Sequence, residues 1–117
     1  MARKRKAFIE ENEYGAELDL SGYAPSIVDN GLGRCYLCGA KGYRALQRHE
    51  IFGASNRERS KLFGLWVNLC GPCHYDITFI HVSSRHKLKE TGQKAAMDRY
   101  GWTKEEFIRR FGKSYLD

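Results

Sequence analysis

The sequence predicts a small α+β domain in which a metal staple joins two short strands and helices follow towards the C-terminus. Three observations predict it. Cysteines recur as Cys35-x-x-Cys38 and Cys70-x-x-Cys73, two equal pairs separated by 31 residues. The stretch LWVNL that leads into the second pair is rich in the β-branched and aromatic residues that favour strands. Two helical stretches with identifiable caps then follow.

Taken in order, residues 1–34 read as an N-terminal extension, partly disordered, with a basic start at 3–6 and an acidic patch at Glu10, Glu11 and Glu13. No sustained period of 2 or 3.6 runs through it, and one short strand is predicted around 16–20. The folded domain is expected over 35–117. Gly39 gives the first cysteine pair its tight turn, and 43–52 reads as an extended segment carrying Leu46, His49 and Ile51. Asn56 is placed to cap a short helix over 57–63, which Gly64 would close.

Ser83 or Ser84 would cap a helix running to about Tyr100, with Leu88, Ala95, Ala96 and Arg99 or Tyr100 approximating one face. Gly92 inside it costs about 1 kcal/mol against alanine, so this helix requires tertiary support. Gly101 ends it. Thr103 and Glu106 then form a capping box for a last helix over 104–111, with Phe107, Ile108 and Phe111 suited to packing.

At 117 residues and 42% hydrophobic content the chain has room for one domain with a modest core, which a metal would reinforce. Paired CxxC spacing is that of a structural four-thiolate zinc site formed by Cys35, Cys38, Cys70 and Cys73, with no position left open for substrate. The start MARKRKAF has no apolar segment behind its charges, and no apolar run of membrane-spanning length occurs. Neither secretion nor a membrane partner is expected, and a reducing cytoplasm follows, where thiols hold metal rather than pair. The net charge of +6 is uneven: residues 1–34 carry five basic and six acidic side chains, against fifteen and eight in 35–117. A polyanion, DNA or RNA, is the partner such a balance suits.

Four cysteines satisfy one tetrahedral ion, so His74, adjoining Cys73, is surplus to it. All four histidines, His49, His74, His81 and His86, fall between residues 49 and 86. If the two strands pair, the knuckle brings His49 and His74 within reach of one divalent ion, with His81 as a third ligand and Asp76 in reserve. His86, among Arg85, Lys87 and Lys89, reads as a solvated or phosphate-contacting residue.

Cys35-x-x-Cys38, His49-Glu50-Ile51-Phe52, Leu69-Cys70-x-x-Cys73-His74 and the later His81 resemble the HNH endonuclease superfamily, with its ββα-metal fold and flanking four-cysteine zinc. The likeness extends to small HNH-type proteins of bacteriophages over "HEIFGASNRERSKLFGLWVNLCGPCH" and the terminal "FIRRFGKSYL", covering about residues 35–116. It implies a ββα-metal domain with extra C-terminal helices that hydrolyses DNA phosphodiester bonds, nicking DNA in phage processing or recombination within the bacterial host cytoplasm. It also implies one catalytic divalent ion, Mg²⁺, Mn²⁺ or Ni²⁺, held by His74, His81 and Glu50.

The family usually has a second histidine where this chain has Glu50. Aligning on Ile51 makes His49 the ligand and puts Glu50 in the base position; aligning by chemistry makes His49 the base and leaves Glu50 to bind or orient the metal. The second reading is preferred, because a carboxylate is an ordinary ligand for a hard metal. The family's central asparagine has no counterpart at its usual spacing, where Leu65 stands, and Asn56 is given a supporting role. The seven-residue step from His74 to His81 exceeds the common spacing and predicts a loop before the helix. Arg57, Arg59, Lys61, Arg85, Lys87 and Lys89 are the candidate phosphate contacts, which give affinity without reading sequence. Two other classes fit the same residues: a catalytically inactive, zinc-stapled nucleic-acid-binding module, and an adaptor of a phage packaging or replication complex that docks through Trp66, Trp102 and Phe111.

Overall fold

A computed structural model describes residues 10–30, 33–41 and 45–116. The basic start at 3–6 and the first residues of the expected extended segment, Tyr43 included, lie outside them. Two strands, β1 (Gln47–Glu50) and β2 (Trp66–Leu69), pair antiparallel with Gln47 opposite Leu69 and His49 opposite Val67. Between them lie a 3₁₀ turn, Ala54–Asn56, and helix α1, Arg57–Leu62. After β2 come α2 (Gly71–Tyr75), a π-helical turn (Asp76–Ile80), α3 (Val82–Tyr100) and α4 (Lys104–Phe111). The α+β class holds, with β1 shorter than the extended segment expected. No helix among the described residues is long and apolar enough to cross a membrane.

Strand alternation divides the sheet's work. Gln47 and His49 project from one face and Arg48 and Glu50 from the other, because successive side chains point to opposite sides. The Arg48 face is covered by the segment before the cysteines: Arg48 pairs with Asp19 at 2.7 Å and lies over the Tyr23 ring at 4.3 Å. Backbone bonds from Ala24 to Lys61 and Ile27 to Gly64, each 2.9 Å, fasten the same segment to α1 and the turn behind it. Gly64 permits that approach, since a Cβ there would lie 2.3 Å from the Pro25 carbonyl oxygen. Residues 10–30 are thus built onto the domain. The strand expected around 16–20 reduces to a single bridge between Glu11 and Glu17, because Asn12 bends the chain by accepting the amides of Tyr14 and Ala16.

The core collects Ile51, Phe52, Leu65, Val67, Leu69, Ile77, Leu88, Phe107 and Phe111, all buried. Helix α3 reaches it through Leu88, Gly92, Gln93 and Ala96, whereas Ala95 is only half-buried and Arg99 is exposed. Gly92 lets α3 approach closely there, because a Cβ would come within 3.1 Å of Ile51 Cγ2 and 3.2 Å of Phe52 Cε2 and press on both side chains. The tertiary support that this glycine demanded is close contact itself. Gln93 is fully buried and satisfied at both ends, donating to Ser114 Oγ at 2.9 Å and accepting from the Tyr115 amide at 2.7 Å. Ile108, expected in the core with Phe107 and Phe111, faces outwards at 38% exposure, one residue round the helix from the packed pair.

Three capping expectations change. Asn56 stands at the N-cap of α1 without bonding its amides; its side-chain amide donates instead to the Phe111 carbonyl at 2.8 Å, tying the 3₁₀ turn to α4. His81, not Ser83 or Ser84, precedes α3. No loop separates His74 from His81: α2 runs into the π-helical turn, whose wider winding takes up the additional residues. Thr103 does cap α4, its hydroxyl accepting from the Glu106 amide at 3.0 Å, but the Glu106 carboxylate turns to Arg109 and Arg110 instead of closing the box.

Candidate functional site

The four cysteines converge where the local fold directs them. Cys70 follows β2 directly, α2 lifts Cys73 beside it, and a bond from the Tyr36 amide to the Asn68 carbonyl, 2.8 Å, docks the first pair against the strand end. All four sulfurs lie within 4.8 Å of one another, and Cys38 Sγ stands 3.9 Å from Cys70 Sγ. A disulfide would bring two of them to about 2 Å. Four zinc–sulfur bonds of 2.3 Å in a tetrahedron place the sulfurs about 3.8 Å apart, so the cluster could hold a metal ion of that kind. Burial pushes the Cys35 thiol up, but amides directed at its sulfur, those of Cys38 and Cys70 foremost, outweigh it and bring it down to about 6. Burial and the surrounding sulfurs push Cys73 up. Holding all four as thiolates therefore requires a positive charge among them.

Beside this cluster, on the Gln47 face of the sheet, His49 and His74 meet. Their rings are 5.2 Å apart and nearly perpendicular, and Gln47 Oε1 lies 2.5 Å from His74 Nδ1. That contact leaves His74 Nε2 as the nitrogen with a lone pair to offer. His49 is half-buried and lines a cleft of about 390 Å³ together with Asn56, Arg85, Lys89 and Tyr115. Burial first, then the neighbouring His74, Arg85 and Lys89, depress its pKa to about 4. The ring is accordingly neutral at pH 7. Its Nε2 is buried with no hydrogen-bond partner, a condition met among the described side chains at one other atom, Arg34 Nε.

The remaining predicted residues divide between this site and other work. Glu50 also lines the His49 cleft, while its carboxylate accepts from the Tyr23 hydroxyl and from Arg57 Nε at 3.0 Å. His81 Nδ1 lies 2.8 Å from both oxygens of Asp76, and His86 pairs with Glu90 at 3.2 Å. Among the described residues, no third Cys, His or carboxylate completes a compact ligand set with His49 and His74. Arg85 and Lys89, one turn apart on α3, face the cleft, whereas Lys87 does not line it. Lys61 pairs with Glu58 at 3.7 Å, and Arg59 turns back to the Ser55 carbonyl at 3.4 Å. Sequence reasoning missed Gln47, Tyr23 and Tyr115. Gln47 was findable, because it sits two residues before His49 and so shares its face; Tyr23 and Tyr115 arrive from distant segments with no local signal.

No family model, curated protein or solved structure matches the chain, so its likeness to the HNH endonucleases stands on the residues quoted above.

Proposed function

We propose that the protein is a zinc-stapled, metal-assisted endonuclease of the HNH type, acting on nucleic-acid phosphodiester bonds in DNA processing or recombination. The observation that carries this reading is His49, which touches His74, lines a cleft with Glu50, Arg85 and Lys89, and has a buried nitrogen with no protein partner. Buried polar atoms are ordinarily satisfied, and an exception asks for a role such as a proton to accept or an ion to meet. A neutral imidazole is the general base that activating a water requires.

In this scheme His49 accepts the proton of the attacking water, while Arg85 and Lys89 seat the phosphate. His74, oriented by Gln47, would hold the divalent ion. When bound, that ion supplies charge stabilisation at the phosphoryl oxygens and the leaving group. Glu50 acts through Tyr23 and Arg57 to fix the strand that carries His49. Imidazole suits Ni²⁺ better than Mg²⁺.

The test is nicking of supercoiled plasmid by zinc-loaded protein with added Mg²⁺, Mn²⁺ or Ni²⁺ and with none, beside His49→Ala and His74→Ala. Ion-dependent nicking that both substitutions abolish supports the endonuclease. The second reading, a zinc-stapled nucleic-acid-binding module, draws on the missing third ligand around the histidine pair. It expects DNA affinity to survive His49→Ala and no turnover with any ion; an adaptor expects neither affinity nor turnover.

A further inference from the structure

The segment after the second cysteine pair exposes aromatic rings beside the histidine pair. Tyr75 and Phe79 are 61% and 65% exposed with ring centroids 4.9 Å apart, and Ile80 and Val82 next to them are 59% and 50% exposed. Single apolar side chains on a surface require no explanation, but a contiguous group marks a contact site. Tyr75 ends α2 and Phe79 lies in the π-helical turn that continues it, a turn closed by the His81 amide on the Asp76 carbonyl at 2.7 Å. Turns of this kind are rare and occur frequently at functional sites.

These rings share a shallow depression with Gln47 and His74. His74 in turn touches His49, which lines the neighbouring cleft with Glu50, Arg85 and Lys89, so the two imidazoles join the depression that holds the aromatic rings to the cleft that holds the cations. The cleft end of this track carries Arg85 and Lys89, with the Glu50 carboxylate engaged by Arg57 and Tyr23. Lys89 and Lys113 stand 5.3 and 5.1 Å from the Tyr115 ring centre, and among the described residues no carboxylate pairs with Arg85, Lys89 or Lys113. The track therefore offers cations at one end and flat apolar faces at the other. An intact duplex presents phosphates but hides its base faces, whereas a single strand presents both along its length.

We propose that Tyr75 and Phe79 stack the bases of a single-stranded stretch of nucleic acid whose backbone rests on Arg85 and Lys89. The site thus takes single-stranded or locally unpaired substrate in preference to intact duplex. This rests on the endonuclease reading for the cut, although the binding it describes is measured separately.

The test is fluorescence anisotropy of a labelled single-stranded oligonucleotide and of its duplex with the zinc-loaded full chain and no added divalent ion. Tyr75→Leu with Phe79→Leu keeps the surface apolar and removes only the rings. Because stacking contributes about 1–3 kcal/mol per base, the double variant should lose about tenfold or more in single-strand affinity and far less on the duplex. Arg85→Gln with Lys89→Gln should weaken both and flatten the salt dependence. Unchanged metal content and melting temperature establish that the aromatic variant is folded. Equal loss on both substrates, or none, overturns the stacking proposal, and with nicking intact the endonuclease reading stands alone. Wild-type protein that binds neither substrate and cuts nothing overturns both.

Discussion

The cysteine cluster and the aromatic core secure opposite ends of the same two strands by different physics. At the cluster end, four sulfurs lie within 4.8 Å of one another; Cys35 and Cys70 are buried against the core, whereas Cys38 is exposed. At the other end, Phe52 leaves β1 into a set of rings: Phe107 and Phe111 stack at 4.7 Å, Phe63 meets Trp102 edge-on at 5.1 Å, and Tyr14 stacks on Tyr100 at 4.5 Å. Such pairs add about 0.5–1.5 kcal/mol each beyond the area they bury. The candidate cleft lies between the two regimes. Its strand and His74 depend on the knuckle, while Arg85, Lys89 and Tyr115 depend on helices held by the aromatic core.

That contrast breaks most visibly on depriving the cysteine cluster of the metal ion it could hold. Structural zinc contributes about 10–16 kcal/mol of apparent folding free energy in small zinc modules. Chelation, or Cys70→Ser, should give the largest loss of stability. By hydrogen exchange the Val67 and Leu69 amides should lose protection first, while α3 and α4 retain most of their far-ultraviolet helical signal. Loss of strands and helices in one transition would instead make the two ends a single cooperative unit. The reciprocal test is Phe107→Ala, which opens a cavity among the rings and should cost about 3–5 kcal/mol by denaturant melting. Metal stoichiometry should be unchanged, and metal loss in this variant would show that the core also builds the knuckle.

How much of this was legible in the sequence follows the same division. The cysteine spacing, Gly101 after α3 and Thr103 before α4 were readable because their physics is local: a ligand pair on one turn, a left-handed residue, a hydroxyl facing the first amides. Gly92 and Gln93 were not, because a glycine that admits Ile51 and a glutamine that grips Ser114 and Tyr115 declare themselves only when α3 meets its neighbours. Asn56 shows local reasoning overruled: the N-cap position was right, yet its side chain serves Phe111, 55 residues away. At the candidate site, the approach of His49 to His74 followed from pairing the strands. Glu50 was assigned by position in a motif; it lines the same cleft as His49, and its carboxylate bonds to Tyr23 and Arg57, partners that no local signal announced.

Ser60 joins the two regimes and gives a smaller, sharper effect. It is fully buried in α1; its hydroxyl donates to the Phe52 carbonyl at 2.7 Å and accepts the Phe52 amide at 3.0 Å, setting where β1 turns into the core. Ser60→Ala leaves both backbone groups unpaired and should cost about 1–3 kcal/mol. If the contrast between the two ends is sound, this variant loosens the histidine cleft without releasing metal, and His49 resonances shift while the cysteine signals do not.

The closest reading of the cleft concerns His49 itself. Its pKa is depressed to about 4 by burial, then by His74, Arg85 and Lys89, against about 6.5 in an unfolded chain. Between those values the unfolded state binds more protons than the folded one, so the contribution of His49 is complete above about pH 6.5 and is lost as pH falls towards 4. A histidine NMR titration of zinc-loaded protein without added divalent ion should therefore find His49 still neutral at a pH where ordinary histidines are charged. Removing positive charge by Lys89→Gln should raise its midpoint, and His49→Gln should flatten the acid limb of the stability profile. An ordinary midpoint for His49 in the folded protein would mean that the ring is solvated, and the argument from its buried, unpartnered nitrogen to a catalytic base would lose its premise.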